Sequence, residues 1–420
     1  LDKGFHYVDS KWGKKDYDNV QISSVASGKP NGKLNLDRGT MDIVGVEEFI
    51  INDKLGVRVT PDSGRVTLKK NRDVQFNGTV YAGNYEYFGS EFEMDYDSFL
   101  ISMPQINNIK FNLAKGDKNK QSNKEQIQNQ LVETAGVLYI NEPNNKSAEK
   151  EFPKYPIFNA TKGATVYFLG EEILGGVYDQ SLYFVIPPFE IDSVSSSDPN
   201  SIAFDGKFHS GDIFPEFEEK LRVMPDKSLG FEHPISEDGI DLLNGQAKFY
   251  GSIRLDNKGL RGGKKIEYLS STILSENFTF FKDSIKGLGT YANIEPGEWE
   301  GVSFPKMEIA NFDIRWLTFK DSLYLTNRSD AFRMYDETAS LEGTTIISKK
   351  GLFGQGEMKT RGSNTTSENY NFKEHRFTAR HANFEIESTD TIPALAADDV
   401  RLDFDFQANT ATINPEIEGD

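Results

Sequence analysis

Short runs rich in Val, Ile, Tyr, Phe and Thr recur along the chain, broken about every eight to twelve residues by Gly, Asn, Asp or Pro. This is the pattern of strands and turns, since a helix would space its apolar residues three and four apart. Val57–Thr60, Thr79–Tyr81, Thr165–Phe168 and Leu182–Ile186 read this way. In Arg401–Phe406, Leu402, Phe404 and Phe406 share one face while Asp403 and Asp405 share the other, as one-sided burial of a sheet requires. One segment departs from the pattern. Ser122-Asn-Lys-Glu125 has the form of a capping box, Ile127 and Leu131 stand four apart, and Gly136 is placed as a stop. Together they predict a short surface helix over residues 123–135.

The expected fold is therefore mainly β: an elongated stacked antiparallel sheet or sandwich, or a solenoid-like repeat, with one short helix. The composition shifts divide it into an N-terminal β region (residues 1–113), a polar linker with the helix (114–136), a second β region (137–240) and two β repeat copies (241–335 and 336–420).

The repeats rest on two motifs. Lys258-Gly-Leu-Arg-Gly262 returns as Lys350-Gly-Leu-Phe-Gly354, and Ser275-Glu-Asn-Phe-Thr-Phe280 returns as Ser367-Glu-Asn-Tyr-Asn-Phe372. Both pairs stand 92 residues apart (350 − 258 and 367 − 275), and Gly251 falls on Gly343 at the same offset. One ungapped offset prescribes the same supersecondary unit twice, with Leu260, Leu352, Phe280 and Phe372 facing inward. Gly251, Gly259, Gly262, Gly343, Gly351 and Gly354 are read as the turn and bulge glycines of that unit, because glycine takes positive φ without a steric penalty. A looser likeness joins Phe76-Asn-Gly78 to Phe204-Asp-Gly206. A repeated β unit buries its apolar face against its neighbour, which argues for scaffold before catalysis.

Composition narrows the chemistry. Among 420 residues, 47 Lys and Arg oppose 65 Asp and Glu, a net charge of −18, which excludes a general nucleic-acid binder. The absence of cysteine removes disulfides, thiolate nucleophiles and cysteine zinc sites, and five histidines leave little imidazole chemistry. No apolar run reaches the roughly 18 residues of a membrane-spanning helix. Leu1-Asp-Lys-Gly4 reads as the start of a mature or excised segment.

No nucleophile elbow, phosphate loop or metalloprotease motif is present, so no catalytic or cofactor-binding residue is assigned. His209-Ser-Gly-Asp212 is the nearest approach to a triad, but strand alternation sends His209 and Ser210 to opposite faces. His375 and His381 would stand about 20 Å apart on one strand, too far to share a metal ion. Asp95 with Asp97, and Asp403 with Asp405, would share a face. They read first as a solvated acidic surface, then as a weak Ca²⁺ site or a glycosidase pair. The 31 Phe against 3 Trp suit a dry interior or a lipid-facing groove, while Trp12, Trp299 and Trp316 keep a sugar platform open.

Phe332–Gly343, followed by Lys350–Gly354 and Phe377–Phe384, resembles part of a family of very large β-rich cell-envelope proteins of the Bacteroidota; Tyr155–Asn159, Phe204–Gly206 and Ile213–Pro215 fit the same texture. The resemblance implies an extracytoplasmic chain, periplasmic or on the outer membrane and cell surface, serving as a non-catalytic structural, assembly or interaction module. Its partners would be other segments of the parent chain or other envelope proteins, meeting unfinished strand edges near Ala379–Ile386 and Arg401–Phe406. A carbohydrate-binding or carbohydrate-active sandwich, and a groove holding lipid for envelope transport, are the alternatives. Four triplets beginning at Asp192, Asp283, Asp321 and Asp390 match the O-glycosylation pattern of exported proteins in that phylum, which makes Ser193, Ser284, Ser322 and Thr391 candidate glycosylation sites.

Overall fold

The computed structural model describes residues 3–8, 21–25, 30–113, 125–127, 129–194, 202–388 and 393–416. Strands in the first half are β1 (Lys3–Val8), β2 (Gln21–Val25), β3 (Gly32–Asn35), β4 (Thr40–Ile43), β5 (Val46–Asn52), β6 (Val57–Leu68), β7 (Val74–Ala82), β8 (Tyr85–Asp95), β9 (Leu100–Leu113), β10 (Glu125–Gln126), β11 (Leu131–Tyr139), β12 (Ile157–Ala160), β13 (Ala164–Tyr167), β14 (Leu182–Ile186), β15 (Phe189–Ile191), β16 (Ala203–Ser210), β17 (Phe217–Val223) and β18 (Leu229–Pro234). They are followed by β19 (Ile240–Leu242), β20 (Ala247–Asp256), β21 (Gly259–Tyr268), β22 (Ser271–Phe280), β23 (Ser284–Ile294), β24 (Gly297–Trp299), β25 (Val302–Phe304), β26 (Met307–Leu317), β27 (Ser322–Asn327), β28 (Phe332–Met334), β29 (Ala339–Ser348), β30 (Gly351–Thr360), β31 (Ser363–Phe372), β32 (Arg376–Ile386), β33 (Leu395–Asp405) and β34 (Thr410–Pro415). The protein is mainly β and the strands pair antiparallel.

Among the described residues the helical content is a three-residue 3-10 turn, Thr318–Lys320. The helix expected over 123–135 is not formed: Glu125–Gln126 and Leu131–Tyr139 are strands, and residues 114–124 and 128 lie outside the described residues. Leu131, Thr134, Gly136 and Leu138 are buried, Glu133 is exposed at φ 59°, and the register to β9 shifts between Thr134 and Gly136. Pairing along β9 satisfies this main chain and buries these residues, and that outweighs a local capping signal.

The chain divides into two compact units, Leu1–His209 with Glu216–Phe231, and Ser210–Pro215 with Glu232–Asp420. In the first, β5, β6, β7, β8, β9 and β11 form an antiparallel meander. Its strands are interrupted near mid-length, where the register shifts at Pro61–Val66, Phe76–Gly78, Phe88–Gly89 and Thr134–Gly136. Each bulge bends its strand, and a row of them creases the sheet. The halves on either side of the crease pack face to face, bringing Phe49 to within 5.7 Å of Phe76 and Tyr87 to within 4.7 Å of Phe158.

The second unit repeats this design. β20, β21, β22 and β23 return, residue for residue, as β29, β30, β31 and β32 at the offset of 92 (339 − 247), and β26 and β27 return as β33 and β34 at an offset of 88 (395 − 307). Leu260, Leu352, Phe280 and Phe372 are fully buried. The crease crosses the unit through Gly251, Lys264, Ser275 and Gly289 in the first copy, and through Gly343, Gly356 and Ser367 in the second.

The Ser-Glu-Asn motif is the crease itself. Ser275 Oγ donates to Leu288 O at 2.7 Å and accepts from Asn277 N at 3.1 Å; Ser367 Oγ donates to Arg380 O at 2.6 Å and accepts from Asn369 N at 2.9 Å. The hydroxyl thus satisfies a carbonyl and an amide that the bulge leaves unpaired, while Glu276, Asn277, Glu368 and Asn369 point to solvent.

Of the six repeat glycines, Gly259 and Gly351 are in hairpin turns, at φ 85° and 128°. The other four are in mid-strand: Gly251 and Gly343 take positive φ at the crease, as bulge glycines, whereas Gly262 and Gly354 have ordinary backbone, which corrects their reading as turn or bulge residues. Gly343, at φ 154°, has no room for a side chain: a Cβ would lie 2.0 Å from Gln355 O. Gly262 lies under the ring of Phe249, 2.5 Å from where its Cβ would be.

Candidate functional site

Because each strand is bent at the crease, the turns at its two ends come together along a seam. In the first copy the seam is shut. Tyr268, at the end of β21, packs its ring against Trp316 of β26 with centroids 4.5 Å apart and donates its hydroxyl to Asp321 in the β26–β27 turn; Asp321 also accepts from Lys349 N at 3.0 Å. Burial and the Asp321 carboxylate push the Tyr268 hydroxyl well above its ordinary pKa, so it stays a donor.

The counterparts in the second copy are Thr360, Phe404 and Asn409, and here the seam is a cleft of about 520 Å³. Tyr335 and Phe406, stacked at 4.0 Å, form its floor together with Phe404. Tyr335 Oη donates to Arg376 O at 2.9 Å and Phe406 N to His375 O at 2.9 Å, which fixes both rings. Polar and charged groups ring the mouth: Lys306 pairs with Asp336 at 3.0 Å, the His375 ring lies 3.4 Å from the Glu374 carboxylate, and Arg361 and Asn409 complete the rim. An aromatic floor under a polar rim takes a flat ligand with an apolar face and hydroxyl edges.

The second feature is an edge. Among the described residues β34 pairs with β33 alone, and its side chains are exposed apart from a half-buried Ile413. The unfinished edge expected near Ala379–Ile386 and Arg401–Phe406 lies one step further out, on β34 and the Leu395–Asp399 half of β33, because β32 is paired on both sides over most of its length and β33 is paired on both sides over Val400–Asp405. At the other end of the chain, β3 is fully exposed and pairs with β4 alone among the described residues.

The residues singled out by chemistry are engaged structurally. His209 stacks on Tyr183 at 4.4 Å and faces Glu216 at 3.2 Å, beside an open groove of about 940 Å³. Ser210 is buried and exchanges hydrogen bonds with Phe214 N and O. Asp95 ends β8 and accepts from Ser98 N, while Asp97, in the β8–β9 turn, pairs with Arg72. Asp403 pairs with Arg376, and Asp405 accepts from Gln407 N and Ala408 N. His375 lies in a turn and His381 at a bulge with φ 49°, so the pair does not share a regular strand face. Among the described residues no group of three or more His, Asp or Glu side chains is arranged to hold a metal ion.

Of the glycosylation candidates, Ser193 and Ser322 are half-exposed, Ser284 is buried, and Thr391 lies outside the described residues. Trp316 is buried, Trp299 is exposed on the β24–β25 hairpin, and Trp12 lies outside the described residues. No described helix is long and apolar enough to cross a membrane. No protein-family model, no curated protein and no solved structure matches the chain.

The open cleft and the free edge were the features hardest to see in the sequence. The signal for the cleft was the replacement of Tyr268 and Trp316 by Thr360 and Phe404 at the repeat offsets.

Proposed function

We propose that the chain is a non-catalytic structural and assembly module of a larger exported cell-envelope protein, joined to neighbouring segments through its sheet edges. The observation that carries this reading is the second use of one creased-sheet unit at fixed offsets, which invests the sequence in stacking rather than in a reactive centre. The core supports scaffold over lipid transport: Phe249, Phe278, Phe280, Phe312, Phe372 and Phe377 are packed shut within the second unit. Photo-crosslinking from Asn414, in the cell that makes the protein, tests the proposal. Products in the envelope fraction that map to the parent chain or to an envelope protein support it. A chain recovered from the cytoplasm, crosslinked to nothing of that kind, overturns it.

The cleft supports a second reading, a carbohydrate-binding module. Oligosaccharide titration followed by the amide resonances of Phe404, Phe406 and Gln407 tests it: saturable shifts lost in Phe406→Ala support it, and no shift at millimolar ligand removes it.

A further inference from the structure

The two copies differ in what lies beyond their last strands. In the first copy, the far edge of β27 is taken by β29, with Leu323, Tyr324, Leu325 and Thr326 opposite Ile347, Ile346, Thr345 and Thr344. The other half of β26 is covered by β28, whose Phe332 and Met334 are fully buried. β28 and β29 are thus the opening strands of the next repeat.

β33 and β34 stand where β26 and β27 stand, 88 residues on, and the burial records what their surroundings lack. Met307 is 0% exposed and its counterpart Leu395 is 46% exposed. Leu323 and Leu325 are fully buried, while their counterparts Ala411 and Ile413 are exposed and half-buried. Pro415, which has no N–H to donate, is the counterpart of Asn327, outside the four residue pairs that join β27 to β29. It therefore leaves the pairing stretch Ala411–Asn414 intact.

We infer that the edge formed by β34 and the Leu395–Asp399 half of β33 is an acceptor for the opening strands of a further repeat of this kind. The occupant is a β28-like half-strand with two alternate apolar side chains, followed by a β29-like strand carrying glycine at its fifth position. The half-strand covers Leu395 and Ala397, and the long strand pairs with Ala411–Asn414 as Thr344–Ile347 pairs with β27. This rests on the assembly-module reading and adds the identity of the partner segment.

The test extends the whole protein. A second copy of Ser329–Glu387 is appended after Glu416, so that β34 leads into the same strands as β27 does, and hydrogen exchange is measured on the extended and original chains. The expected result is an ordered appended segment and slowing by about tenfold or more of the Ala411 and Ile413 amides, which face the free edge because Thr410, Thr412 and Asn414 are turned toward β33. In a second extended chain, proline replaces the appended counterparts of Thr345 and Ile347, and both effects should disappear. An appended segment that exchanges as unfolded chain, or Ala411 and Ile413 amides unchanged by it, overturns the inference. Since the measurement uses purified protein, its failure is separate from failure of the envelope reading, which the crosslinking in cells decides.

Discussion

The first and second repeat copies share strand lengths, register and crease, yet one is closed and the other open. Ser275 and Ser367 bridge their bulges alike, and Phe280 and Phe372 fill the same buried position. Closure differs at the seam, where Tyr268 and Trp316 are replaced by Thr360 and Phe404, and at the last strand, where β27 has a neighbour on its far edge and β34 has none among the described residues. The strand frame and the use made of its surfaces are thus set by different residues, so one can vary while the other is held.

The sharpest way to break the comparison is in the shared core. Phe280→Ala and Phe372→Ala should each cost about 3–5 kcal/mol in urea unfolding, by similar amounts, because each removes a fully buried ring from the same place. Costs differing by more than twofold would mean that the copies are not energetically equivalent.

Exchanging the seam residues comes next. Tyr268→Thr removes a ring from Trp316 and a hydrogen bond from Asp321, and should cost about 2–3 kcal/mol while opening a cleft like that of the second copy. Thr360→Tyr should fill the existing cleft and abolish any oligosaccharide shifts at Phe406.

At the crease each copy has a strained residue where the other has glycine: Lys264 in the first, the counterpart of Gly356, and His381 in the second, the counterpart of Gly289. Lys264 sits at φ 127°, where its counterpart Gly356 has φ 129°. Lys264→Gly should stabilise and Gly356→Lys destabilise by about 1–3 kcal/mol, since only glycine takes this backbone without strain. Ser367→Ala should cost about 1 kcal/mol by leaving Arg380 O and Asn369 N without the hydroxyl, and Ser275→Ala the same in the first copy.

The smallest effects are electrostatic and opposite in sign. Tyr250, Lys265 and Glu267 in the first copy correspond to Glu342, Glu357 and Lys359 in the second, the same cross-strand cluster with its charges exchanged. Hydrogen bonds from Lys265 and Tyr250 hold Glu267 below its ordinary 4.5, so its contribution is present above that value and is lost as pH falls through the folded one. The Glu342 and Glu357 charges raise Lys359 above 10.5, so its contribution is present below that value and is lost as pH rises through the folded one. Glu267→Gln should flatten the acid limb of a melting-temperature profile and Lys359→Met the alkaline limb. Both groups are solvent-accessible, which keeps the effects small and salt-sensitive.

Several of these features were legible in the sequence by itself. Period-two alternation marked the strands, because side chains on a pleated strand alternate faces whatever the strand later packs against. The offset of 92 marked the repeat, and glycine marked the positive φ of the unit, because φ > 0 is a local demand; that Ser-Glu-Asn forms the bulge became visible only in its hydrogen bonds. Tertiary structure decided the rest. Leu131–Ala135 became strand because β9 offered a complete ladder, a partner far away in sequence that no capping box reports. Gly262 is a packing residue rather than a turn because Phe249, from the opposite layer, lies over it. Whether the seam is shut or open depends on rings brought together by folding the sheet on its crease, and that juxtaposition of strand ends exists only once the long-range pairing is made.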